Sequence, residues 1–193
     1  MNHTEEGIVS ERLKAQRQKT LRSGVALIDG RSVTFTKMEF EAAFSILVPA
    51  GFNAMDKQAV HLKYMSASRP QIVLVDPSDT VNLTFTYFPD EPLKDEDIDD
   101  TTEYYRELIR KSRPGNLFYH MKIVRTGKLP TGDFAYRSKA LDGDMYNEVF
   151  IAPVHGCLLY GSMNCFYAQR DTWEKPFEYM INSIEELKPG RRG

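Results

Sequence analysis

Asp95, Asp97 and Asp99 alternate within one acidic stretch, Asp90–Asp100, at the spacing of the first three ligands of a calcium-binding EF-hand loop. Such a loop needs glycine at its sixth position and a bidentate glutamate at its twelfth. The chain has Asp100 and Arg106 there, so an EF-hand is excluded. What remains is a crowded run of like charges. It can start a helix, solvate a loop, or attract a basic partner. Asp97, Asp99 and Asp100 suit a helix start, which leaves Asp90, Glu91, Asp95 and Glu96 as the candidate partner-binding residues.

His61, His120 and His155 are far apart in sequence, and none has a second His or Cys three to five residues away. That spacing argues against zinc, and no metal is expected. Cys157 or Cys165 with His120 or His155 would make a thiol–imidazole pair, but no helix-start or nucleophile-elbow context marks either thiol for activation. They read as core thiols, with turn or surface histidines, and no catalytic residue is assigned. If both cysteines share one strand, eight residues at ~3.3 Å each separate them by roughly 26 Å. A disulfide needs Cα atoms within ~7 Å, so none is expected between them.

The glycines form neither G-x-G-x-x-G nor a phosphate loop, because Gly127 to Gly132 lacks the Lys-Ser/Thr ending. No cofactor is expected. The aromatic residues fall mostly at strand or helix periodicity without interleaved basic residues, which favours sheet core over a nucleobase platform. Arg137 and Lys139, on alternate positions of one strand, are the exception.

The elements that position these residues are mostly strands. Gly24–Ile28 and Ser32–Phe40 flank Asp29-Gly30-Arg31, a hairpin signal. Phe44–Pro49 is a third strand, followed by a less regular piece containing His61–Met65. Gln71–Asp76 and Val81–Phe88 flank the turn Asp76-Pro77-Ser78-Asp79. Tyr104, Tyr105, Leu108 and Ile109 recur at helical spacing after the acidic stretch, and Pro114-Gly115 ends that helix. Leu117–Thr126 reads as a strand and Leu129–Asp133 as a loop. Phe134–Leu141, Met145–Val154 and Cys157–Tyr167 then form a meander through Asp142-Gly143 and His155-Gly156. A helix over Pro176–Leu187, with Pro176 in its first turn, closes the domain.

This order predicts an α+β fold: a three-layer sandwich with a central, mostly antiparallel sheet flanked by helices. The expected organisation is a polar, basic arm over 1–23, one domain over 24–187 and a polar tail over 188–193. At 193 residues, with 41% hydrophobic and 27% charged side chains, the chain suits one folded domain. A net charge of −2 gives no reason to expect nucleic acid as partner. The N-terminal residues lack a signal-peptide pattern and no run reaches membrane-spanning length, so the expectation is a cytoplasmic protein without membrane insertion.

The layout resembles the PsbP-like fold, shared by an extrinsic subunit of the oxygen-evolving photosystem, a Ran-binding import factor and uncharacterised bacterial proteins. The matching pieces are Phe44–Phe52, Leu129–Ala135 and Phe177–Ile184, with Phe52 standing where a Trp is often found. The resemblance covers about residues 40–187 and implies non-enzymatic partner binding. The leading expectation is therefore a non-catalytic binding or assembly-factor domain whose partner is another protein. A carrier of a small or apolar ligand is the alternative, and a Cys-dependent enzyme the third.

Overall fold

Three hairpins with two-residue connections set the strand registers. In the computed structural model, which describes residues 24–28, 30–40, 43–65 and 69–188, β1 (Val25–Ile28) returns as β2 (Arg31–Phe40) with Ile28 opposite Arg31. Gly30 has φ 75°, the left-handed conformation this turn needs. β8 (Thr131–Ala140) and β9 (Gly143–Val154) pair with Ala140 opposite Gly143, so the turn residues are Leu141 and Asp142. The turn therefore lies one position earlier than expected. β9 returns as β10 (Cys157–Phe166) through His155 and Gly156, both at positive φ. The expected arm over 1–23 and all but the first residue of the tail lie outside the described residues.

β3 (Phe44–Pro49), β4 (Asn53–Ala54), β5 (Ile72–Val75), β6 (Asn82–Pro92), β7 (Leu117–Val124) and β11 (Glu185–Glu186) complete two antiparallel sheets. The smaller has the order β1-β2-β3-β11 and the larger β4-β5-β6-β10-β9-β8-β7. The α+β class holds. The single central sheet is corrected to two sheets, because the buried side chains of β3, with Phe40 at the end of β2, pack against the larger one. Phe40 and Phe44 lie with ring centroids 5.4 and 6.0 Å from Phe85 of β6. Phe150 of β9 continues the cluster, 6.2 Å from Phe85 and 6.1 Å from Phe177 of the closing helix.

α2 (Ile98–Ser112) covers the opposite face of the larger sheet, against β7, β8 and β9. Leu93, Ile151 and Leu158 form the apolar cluster there, with Tyr105 packed 5.2 Å from Tyr160. A short 3₁₀ turn, Asp95–Asp97, leads into α2. Asp97 sits at its N-cap without a side-chain capping bond, while Asp99 and Asp100 lie in its first turn. The acids thus favour this helix through its dipole rather than through a capping bond.

Three boundaries differ from expectation. α1 (Lys57–Lys63) lies where irregular chain was expected; it buries no residue and so carries no apolar stripe, and Asp56 caps it. β8 begins at Thr131, so Asp133 is a strand residue, not a loop residue. The closing helix, α3, spans Arg170–Asn182 and holds Pro176 in its interior. Its start is drawn upstream by Trp173, which is buried edge-on against Phe52 at 5.6 Å. Beyond α3 the chain leaves as β11, pairing Glu185 with Ser45. Among the described residues no helix is long and apolar enough to cross a membrane.

Gly161 of β10 stands between Phe85 and Phe150 on the two flanking strands. A Cβ there would meet a ring carbon of Phe150 at 2.1 Å. Gly161→Ala is expected to destabilise the domain by about 1–3 kcal/mol through overpacking, read from urea unfolding. An unchanged midpoint would show that Phe150 yields freely.

Candidate functional site

A β-bulge builds the most chemically distinctive site. On β7, Phe118 faces Tyr136 and Met121 faces Phe134, so Tyr119 and His120 together oppose Ala135 of β8. Two residues against one turn both side chains toward the inner face of the sheet. Ala135 is itself opposite Glu148 of β9, and Asp133 lies two positions along β8 on the same face. Three adjacent strands therefore converge at His120, Asp133 and Glu148.

His120 Nε2 lies 3.1 Å from Asp133 Oδ1 and 3.6 Å from Glu148 Oε1. One ligand-capable atom from each of the three residues falls within 4.8 Å of the other two. Asp133 and Glu148 are buried and His120 half-buried. Tyr146 donates its hydroxyl proton to Glu148 Oε2 at 2.9 Å. The hydrogen bond to Asp133, then that to Glu148, pushes the His120 imidazole up to about 9. Burial pushes the Glu148 carboxyl above the usual carboxylate range, and it does the same to the Tyr146 phenol.

α3 lies alongside. Its Arg170 guanidinium stands 4.8 Å from the Tyr119 ring centroid and 5.4 Å from that of Tyr146, and it pairs with Glu174 at 3.5 Å. Chemically the cluster can hold a proton between imidazole and carboxylates, or bind a cation through one nitrogen and two carboxylate groups. Reading His120 as a turn or surface histidine is thereby corrected. Spacing along the chain is silent here, since antiparallel pairing joins residues 13 and 15 apart.

Asp90 and Glu91 sit exposed at the end of β6, and Asp95 and Glu96 in the 3₁₀ turn. Arg125 donates to the Asp95 carbonyl at 2.9 Å and to the Asp99 carboxylate at 2.5 Å, tying the turn to the chain after β7. Lys94 pairs with Glu96 at 3.4 Å. Arg137 is engaged by Asp144 and by the Tyr167 ring, 4.2 Å away. His155 donates from Nε2 to the Ala43 carbonyl at 3.0 Å. Both cysteines are free: Cys165 is buried among core residues, while Cys157 is half-buried at the start of β10 and donates to the Pro89 carbonyl. Reading both as buried thiols is therefore right for Cys165 alone. A cleft of about 370 Å³ opens to solvent beside β3, lined by Ile46, Leu47 and Tyr179 and rimmed by Lys37, Lys128 and Glu185.

No protein-family model matches the sequence, and no curated protein does. Solved structures do match. PsbP of the cyanobacterium Synechocystis sp. PCC 6803 aligns with a TM-score of 0.55 at 14% identity, over 79% of this chain and 92% of its own. The fold is PsbP-like. A Bacteroides thetaiotaomicron VPI-5482 protein aligns at 0.54 and 13% identity, over 81% of this chain and 50% of its own. LpqN, involved in cell envelope biogenesis of Mycobacterium tuberculosis, aligns at 0.53 and 10% identity, over 83% of this chain and 95% of its own. At these identities the PsbP-like architecture is what the proteins share.

Two outcomes follow from the site's electrostatics. In metal-free buffer the His120 ring should titrate near 9 by NMR, against ~6.5 for an unperturbed histidine. Its folded pKa is raised, so its stabilisation is full below ~6.5 and is lost as pH rises through about 9. Glu148, also raised, acts with the same sign from the carboxylate range upward. The stability gap between wild type and His120→Gln should narrow from pH 6 to pH 9.5; a ring titrating near 6.5 would contradict the contacts. In a native thiol titration Cys157 should react while Cys165 stays protected, because burial and then Glu148 push its thiol up to about 12. Rapid native modification of Cys165 would mean that the core opens.

Proposed function

We propose that this chain is a non-catalytic, protein-binding domain that docks a basic-faced partner on the acidic start of α2. One observation carries the proposal. Glu96, Asp100, Tyr104 and Leu108 are all exposed and follow one another at four-residue steps, which puts them along one side of the turn and helix. Tyr104 is 62% and Leu108 48% exposed. An acidic rim beside an exposed aromatic and a leucine has the make-up of a binding face: charge for encounter, apolar area for affinity. Asp90, Glu91 and Asp95 extend the charge toward the end of β6.

The described cleft does not suit the carrier alternative. The cleft beside β3 is open and rimmed by Lys37 and Lys128, which both pair with Glu185, whereas an apolar-ligand carrier needs an enclosed apolar chamber. A Cys-dependent reaction is disfavoured by the burial and raised pKa of Cys165 and by the carbonyl contact of Cys157.

The test begins with affinity capture from the host and continues with titration of each purified captured protein against two variants. One carries Asp90→Asn, Glu91→Gln, Asp95→Asn and Glu96→Gln; the other carries Tyr104→Ala and Leu108→Ala. All six side chains are exposed, so both variants should fold. The acidic variant should bind several-fold more weakly at low salt and lose most of its salt dependence, because charges beyond ~8 Å are screened at physiological ionic strength. The apolar variant should lose about tenfold or more at any salt. Undiminished binding by both would remove this face as the docking surface.

A further inference from the structure

We propose that His120, Asp133 and Glu148 bind a divalent first-row transition-metal ion of the zinc or manganese kind. Two ligand atoms held ~2.1 Å from one ion in tetrahedral geometry stand ~3.4 Å apart, and cis octahedral ligands ~3.0 Å apart. The imidazole nitrogen lies 3.1 Å from one carboxylate and 3.6 Å from the other, so these two separations match such an arrangement before any ion arrives, and the two carboxylates, within 4.8 Å of each other, would draw together onto the ion. Each comes from a different strand of a continuous antiparallel ladder, which fixes the separations between their backbones.

Charge supplies an independent argument. Two buried acids against one imidazole leave these three residues negative when both acids are ionised, a charge offset only by Lys122, the cross-strand neighbour of Asp133 on β7. Tyr146 adds only a neutral hydrogen bond. Lys122 and Lys175 are close enough to be felt, but Lys175 is committed to Glu178 at 2.5 Å. A dication at the centre would neutralise both acids at once and take the imidazole as neutral donor. Thr131 lies on the same face of β8, two residues from Asp133; it is buried and its hydroxyl has no partner.

The donor set selects the class of ion. Calcium and magnesium favour all-oxygen shells, whereas an imidazole nitrogen beside carboxylates favours zinc, manganese or iron.

The full chain, stripped with chelator, should be titrated calorimetrically with zinc chloride and manganese chloride, then with calcium and magnesium chlorides. Saturable 1:1 binding of zinc or manganese is expected, with a higher Tm in the presence of the ion. His120→Gln, Asp133→Asn and Glu148→Gln should each weaken binding by tenfold or more. Should a variant fail to fold, a measurement on wild type decides: Met163 lies directly opposite Glu148 on β10, so stoichiometric manganese should broaden its methyl resonance before those of the other methionines. The assignment is overturned by absence of 1:1 zinc or manganese binding, by undiminished affinity in the folded variants, by an unaffected Met163 methyl, or by calcium or magnesium binding as tightly as zinc.

Discussion

One row of side chains across the larger sheet organises the molecule. Ile72, Phe85, Gly161, Phe150 and Asp133 are successive cross-strand neighbours from β5 to β8. The two phenylalanines can share this row only because the residue between them has no side chain; Phe150 leans over Gly161 and makes contact with Phe177 of α3. Phe85 meets Phe40 and Phe44 of the smaller sheet. Two sheets and a helix thus share one core at a single aromatic junction, and hydrophobic burial there outweighs any local preference of the segments it joins.

The same row explains why carboxylates are found indoors. Asp133 is its continuation, immediately beside Phe150, and Glu148 lies one row along, next to Met163. Strand alternation commits both acids to the inner face once Phe150 is committed there; turning them outward would require a register shift that also expels the phenylalanine. Burial of a carboxylate is costly unless it is paired. The bulge at Tyr119 and His120 supplies the pairing by bringing an imidazole from the edge strand. The bulge, the cross-strand acids and the aromatic junction are therefore one solution to a single packing problem.

Much of the architecture was legible because it rests on local chemistry. The Gly30 and His155-Gly156 turns and the alternation of Val81, Leu83 and Phe85 are written in short windows. Of the four residues at helical spacing on α2, Tyr105 packs on the sheet while Tyr104 and Leu108 are exposed, because the face that meets the sheet runs through Ile98 and Thr102. The partition into two sheets was not, since nothing in the Phe40 and Phe44 segments states which strands they will meet. α1 buries nothing and left no periodicity to read. Pro176 suggested a helix start, and the burial of Trp173 against Phe52 overrode it. The acidic stretch was visible, but its division between a strand end and a 3₁₀ turn was not. The histidine–carboxylate cluster was the least visible feature, because it arises from pairing register plus one extra residue in β7.

The acidic helix face and the buried cluster occupy opposite faces of the larger sheet, and they touch the same strand. A Cβ on Gly132 would fall 1.9 Å from the Thr102 hydroxyl oxygen, so α2 rests directly on the β8 backbone at the residue before Asp133. Thr102 is in turn anchored by its hydroxyl to the Ile98 carbonyl within the first turn of α2. Pressure on α2 is therefore delivered to a strand whose next side chain, on the other face, belongs to the cluster. The contact is backbone against a buried, hydrogen-bonded side chain, a stiff junction with no flexible arm to absorb a displacement. Side-chain substitutions on the exposed side of α2 leave that junction intact, and removal of a cluster side chain leaves Tyr104 and Leu108 where they are. The two surfaces are mechanically connected through β8 while remaining separable by mutation.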